Sequence, residues 1–181
     1  MIPALGPGGV LPPGRYRATR EQLQATFVDG RGQVRAELWR HWRTATNLLA
    51  RHVHVNAAWL HGTFLSGSTA PEAVGCVYWA EDVELDKARL DDTARNLLRA
   101  FASPGEIRRI VGLNVDTQLA AWHCQPDLSA RDDRYTDYAH DRGTMDDLLQ
   151  RIATGSDGAG LSRASAWPQC GYVEVLVDDY T

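Results

Sequence analysis

Between Val34 and Val53, apolar residues return every three or four positions: Val34, Leu38, Trp42, Ala45, Leu49 and Val53. That spacing fits an α-helix with one apolar stripe and does not fit a strand. Trp39 and Leu48 widen the stripe, and Arg31, Arg35, Arg40 and Arg43 are expected on the solvated side. A stripe of this kind must be buried against a partner. Two apolar runs follow directly, at residues 57–61 and 74–79, each the length of a buried strand. They are expected to pair as a hairpin-like unit around the small-residue loop from Gly62 to Pro71, which is long enough to hold a helical turn. A long amphipathic helix feeding a sheet constrains the chain to layered α/β packing.

The remaining elements are read from caps and breakers. Pro3, Pro7, Pro12 and Pro13 exclude a helix from residues 1–18, which read as an extended arm packed along the body. Thr19 and Gln22 have the spacing of a capping box, predicting a short helix to Phe27. A turn follows at residues 29–32, and a helix is expected over residues 90–101. Ser103-Pro104-Gly105-Glu106 is expected to cap another short helix through Ile107, Ile110 and Val111. Val115, Thr117, Leu119 and Ala121 alternate, which predicts a strand over 114–122. Residues 125–143 are polar and rich in Asp and read as a long loop. Thr144 then caps a helix through Leu148, Leu149 and Ile152, residues 155–160 read as flexible, and a last strand runs over 172–177. The expected fold class is α/β (α+β): a small mixed sheet of about four strands flanked by helices, one domain over 19–181 preceded by the arm.

Composition narrows the function classes. Lys plus Arg is 19 against 23 Asp plus Glu, a net charge of −4, so there is no electrostatic footprint for nucleic acid. No apolar run approaches the length of a membrane span, and the first residues lack a signal-peptide pattern. Cys76, Cys124 and Cys170 are too scattered for a zinc site and read as reduced, buried thiols of a cytoplasmic protein.

Gly9-Val10-Leu11-Pro12-Pro13-Gly14, then Ala18-Thr19-Arg20-Glu21, the long helix, Trp59-Leu60-His61-Gly62-Thr63-Phe64 and Pro71-Glu72-Ala73-Val74-Gly75 form an ordered set. The set resembles a bacterial family of nucleotidyltransferase-like proteins in the polymerase-beta-type superfamily. In that family a Gly-Leu-Leu-Pro-Pro-Gly arm and a long helix precede a strand ending in Gly-Ser-Phe and a Pro-x-Asp-x-Asp segment. The resemblance covers residues 1–80 well, and Gly171-Tyr172-Val173-Glu174-Val175 matches a family ending loosely. It implies that Gly62, Thr63 and Ser66 bind a nucleotide triphosphate and that Asp116 stands where the third metal-binding carboxylate would be. It also implies that two carboxylates at positions 73 and 75 would share one strand face and hold divalent ions.

The sequence departs from that pattern where the chemistry is most demanding. Ala73 and Gly75 stand at the two Asp positions and offer no oxygen to a metal. Asp82 and Glu84 have the same i, i+2 spacing and, with Asp116, make an alternative metal-binding set. The resemblance therefore implies a catalytically degenerate protein, a pseudoenzyme acting through a bound nucleotide or a protein partner. The alternative is an active transferase that moves a nucleoside monophosphate from an NTP to a hydroxyl, with Mg2+ and NTP required only in that case. His52, His54 and His61 are expected to be structural, His123 and His140 structural or exposed, and Ser66 and Ser68 lack a His-Asp pattern for nucleophilic catalysis.

Overall fold

A computed structural model describes residues 1–127, 129–151 and 163–177. In chain order the elements are β1 (Gly14–Arg17), α1 (Arg20–Phe27), α2 (Gln33–Ala50), β2 (Val55–His61), a 3-10 turn (Thr63–Leu65), β3 (Val74–Glu81), α3 (Asp82–Ala88), α4 (Asp92–Ala102), α5 (Glu106–Val111), β4 (Val115–Trp122), α6 (Asp133–Leu149), a second 3-10 turn (Arg163–Ala166) and β5 (Gly171–Leu176). The strands form one mixed sheet in the order β1-β5-β2-β3-β4. β2 runs antiparallel to both β3 and β5, whereas β3–β4 and β1–β5 are parallel pairs. The α+β architecture agrees with the sequence reading, with one strand more than expected.

The alternation of side chains divides the sheet into two buried faces. On one, Ala58, Leu60, Val74, Cys76, Tyr78, Val115, Val173 and Val175 pack against Leu23, Phe27, Leu38, Trp42, Leu49, Leu98, Phe101 and Ile107 from the helices. On the other, Ala57, Trp59, Val77, Trp79, Ala120 and Tyr172 pack against Tyr138, Met145 and Leu149 of α6 and against Trp122. Burial on both faces explains why β2 and β3 read as continuous apolar runs. The Thr19 capping box forms: its hydroxyl accepts from the Gln22 N–H at 3.2 Å, and the Gln22 amide oxygen accepts from the Thr19 N–H at 3.0 Å.

Several expectations are corrected. The extra strand is the end of the proline-rich arm: β1 pairs with β5 from Gly14↔Gly171 to Arg17↔Glu174, a long-range partner with no local signal. The stretch expected as a loop to 143 is helical from Asp133, and its cap is Asp132, which accepts from the Tyr135 N–H at 2.8 Å; Thr144 lies inside the helix. Ser103-Pro104-Gly105-Glu106 forms a turn instead of a capping box. Gly105 has φ 78° and ψ −13°, and the Glu106 N–H bonds the Ser103 carbonyl at 3.2 Å, as in a type II turn with Pro second and Gly third. Val34 is exposed, and Arg35 occupies the first slot of the α2 core stripe. Cys76 is buried as expected, but Cys124 is exposed and Cys170 half-buried; all three are free thiols. Ile152 and residues 155–160 lie outside the described residues.

Candidate functional site

His61, Gly75 and Asp116 stand side by side on β2, β3 and β4: His61 is registered with Gly75, and Gly75 with Asp116. Register partners share a face, so the three positions project from one side of the sheet. Gly75 is buried, and a Cβ built there would meet the His61 ring at 2.5 Å. The imidazole therefore occupies the space into which a side chain at position 75 would grow. Burial holds the His61 pKa down to about 4, while the negative charge of Asp116 pulls it upward. The imidazole is thus neutral at pH 7.

That neutrality has a sign. The folded pKa lies below the ordinary value of 6.5, so the unfolded chain binds the extra proton and stability falls as pH drops through about 6.5 towards 4. The expected slope contribution approaches about 1.4 kcal/mol per pH unit in that window. His61→Gln should remove it. Urea melts of the two proteins at pH 7.5 and pH 5.5 provide the check, and equal acid sensitivity would refute a buried neutral imidazole.

Next to this row the chain turns sharply. Gly62 has φ 84° and ψ −164°, a region that side-chain-bearing residues rarely enter. The 3-10 turn at Thr63–Leu65 follows, and the whole segment is clamped from beneath by Arg35. Arg35 is 2% exposed. Its Nη1 donates to the carbonyls of Phe27 (3.1 Å) and Phe64 (2.6 Å), and its Nη2 to those of Ser66 and Ser68 (both 2.7 Å). No carboxylate pairs with it among the described residues, and burial lowers its pKa from the ordinary value, with Arg31 adding repulsion. The expectation that Arg35 lies on the solvated face is overturned; it fixes the backbone of the loop.

Gly62, Thr63 and Ser66 line one cavity of about 440 Å3, together with His61, Leu65, Leu149, Arg151 and Cys170. The structure thus brings the three expected nucleotide-binding residues together. The Ser66 hydroxyl is committed locally, donating to the Thr63 carbonyl at 2.7 Å and accepting from the Ser68 N–H at 3.1 Å. Thr63 is exposed.

The alternative carboxylate set is not brought together. Glu81, the residue before Asp82, is registered with Trp122, six residues along β4 from Asp116, or about 20 Å. Asp82 and Glu84 lie in the first turn of α3, not on a strand, and both have protein partners. Asp82 Oδ2 lies 2.8 Å from His123 Nδ1 and 3.1 Å from Arg134 Nη1, and Glu84 accepts from the His54 N–H at 2.6 Å. Burial would raise the Asp82 pKa, but the His123 and Arg134 hydrogen bonds outweigh it and hold the carboxyl below its ordinary value. No group of three or more His, Cys, Asp or Glu positioned to hold an ion occurs among the described residues. The donor set present therefore does not fit a magnesium pair. No helix of the described residues is long and apolar enough to cross a membrane.

No curated protein and no solved structure matches the chain. A family model described as a family of unknown function, DUF6932, matches residues 3–156, which include the arm, the long helix, the Gly62 loop and every residue of the His61–Gly75–Asp116 row. The chain belongs to the DUF6932 family.

Proposed function

We propose that this chain is a catalytically degenerate nucleotidyltransferase-like protein whose cavity at Gly62 and Thr63 binds a nucleotide or a protein partner without turning it over. The observation that carries the reading is the His61 ring over Gly75. The position where the resemblance calls for a second metal-binding carboxylate has no side chain, and the space is filled by a neutral imidazole. Nucleotidyl transfer depends on hard oxygen ligands that hold ions against the phosphates. Ala73, Gly75 and an isolated Asp116 supply too few. The Gly62 backbone and the exposed Thr63 hydroxyl still suit an anionic ligand, and Arg151 lines the same cavity with a positive charge, although it pairs with Asp147.

Calorimetric titration with ATP, GTP, CTP and UTP, with and without Mg2+, tests the reading. Binding that does not require Mg2+ and is weakened by Thr63→Ala is the expected result. Transfer of labelled nucleotide to any acceptor would overturn the degenerate assignment. Absence of binding by all four nucleotides would remove the nucleotide arm and leave protein contact.

A further inference from the structure

A second cavity, about 640 Å3, lies between β1 and α6 and shares no lining residue with the one at Gly62. Arg15 of β1 and Arg142 of α6 face it, with Tyr135, Tyr138, Asp146 and Gln150. We propose that it is a binding site for a phosphate monoester carrying a planar ring.

Two observations support this. First, the two cations are held in place by aromatic rings. The guanidinium carbons of Arg15 and Arg142 lie 5.4 and 5.5 Å from the centroid of the buried Trp59 ring, and Arg142 also lies over Trp122 and Tyr138 at 5.5 and 5.7 Å. Second, neither has a carboxylate partner among the described residues, and both line the same cavity. Arg142 donates to the Tyr138 hydroxyl, and the Arg15 side chain makes no hydrogen bond among the described residues, so most of their guanidinium N–H donors are free for a ligand. The nearby carboxylates are already committed. Asp146 accepts from the Tyr172 hydroxyl and from Gln150, and Glu174 from Trp59 and Arg17. A tetrahedral dianion offers two guanidinium forks from different elements more negative charge and one more oxygen, in three dimensions, than a planar carboxylate does. Tyr135 and Tyr138, with ring centroids 6.2 Å apart, offer faces and edges to a planar group.

The test is calorimetric titration of the full chain with inorganic phosphate, phenyl phosphate and benzoate. Phenyl phosphate should bind about tenfold tighter than phosphate, and benzoate more weakly than phenyl phosphate. Arg15→Ala, at an exposed residue without side-chain hydrogen bonds, should weaken phenyl phosphate about tenfold while the melting temperature falls by no more than about 4 °C, the share of the Trp59 contact. Arg142→Lys keeps the charge but loses the fork and should weaken it by a smaller factor. Thr63→Ala should leave it unchanged, which separates this site from the cavity at Gly62. The assignment is overturned if phenyl phosphate does not bind at about 1 mM, if Arg15→Ala binds it as the parent does, if benzoate binds equally well, or if Thr63→Ala abolishes binding.

Discussion

Replacing Arg35 with methionine should lower the folding stability by about 4 kcal/mol and the melting temperature by about 8–16 °C. The methionine has similar length and would leave little void, so the loss comes from hydrogen bonds. Four carbonyls, of Phe27, Phe64, Ser66 and Ser68, lose a charged donor at once. The Phe27 and Phe64 bonds are fully buried, and water cannot replace them there. Those of Ser66 and Ser68 are partly buried, so solvent recovers part of the loss. Arg35→Lys separates charge from geometry. An ammonium keeps the cation but cannot span two pairs of carbonyls as the planar fork does, and about half of the loss should remain. Because the clamp holds the turn after Gly62, both variants should also weaken any ligand taken at Thr63. Urea titration gives the stabilities; a loss below about 1 kcal/mol in the methionine variant would mean that the loop carries its own conformation.

Arg35 also shows how the pattern was legible and how it misled. Arg35, Leu38, Trp42, Ala45 and Leu49 all lie on the buried stripe of α2. The spacing alone places position 35 inside; only its charge argues against it, and Val34 is the apolar neighbour that a purely hydrophobic pattern selects. A buried cation is stable here because its partners are carbonyls of a loop, and a pattern of apolar residues carries no information about those. The same ambiguity hid α6. Tyr135, Tyr138, Met145 and Leu149 recur at helical spacing, but Arg142 fills the middle slot and the surrounding residues are polar. That arginine packs on aromatic faces, so it behaves as part of the apolar stripe. β1 had no local signal because it is made by pairing with a strand more than 150 residues away. The small-residue run places a loop after Gly62, and the structure adds the register of Gly75 with Asp116, which no local pattern carries. The reason position 75 is glycine became visible only with the His61 ring beside it.

Placing carboxylates at the two positions where the proposed reading calls for them should create a metal site. The variant is Ala73→Asp with Gly75→Asp and His61→Ala. Position 75 is registered with Asp116 on the adjacent strand, and position 73 lies just ahead of β3, which starts at Val74. Carboxylates at 75 and 116 would then share the space that the imidazole now fills, with a third two residues upstream at 73. Without metal, their mutual repulsion should lower the melting temperature relative to the native chain. Mn2+ at about 100 times its dissociation constant should return about 2.7 kcal/mol, or roughly 5–10 °C, while the native protein should show no such gain. The order of substitution matters. Gly75→Asp with His61 retained forces a Cβ against the ring at 2.5 Å and should be destabilised with little metal response, and Asp116→Asn in the triple variant should abolish the response. Should the triple variant fail to fold, Ala73→Asp in the presence of the native Asp116 still offers two carboxylates and a weaker Mn2+ signal by electron paramagnetic resonance. If neither variant responds to Mn2+ more than the native chain, positions 73 and 75 are not the counterparts of the carboxylate pair, and the degenerate-transferase reading loses its basis.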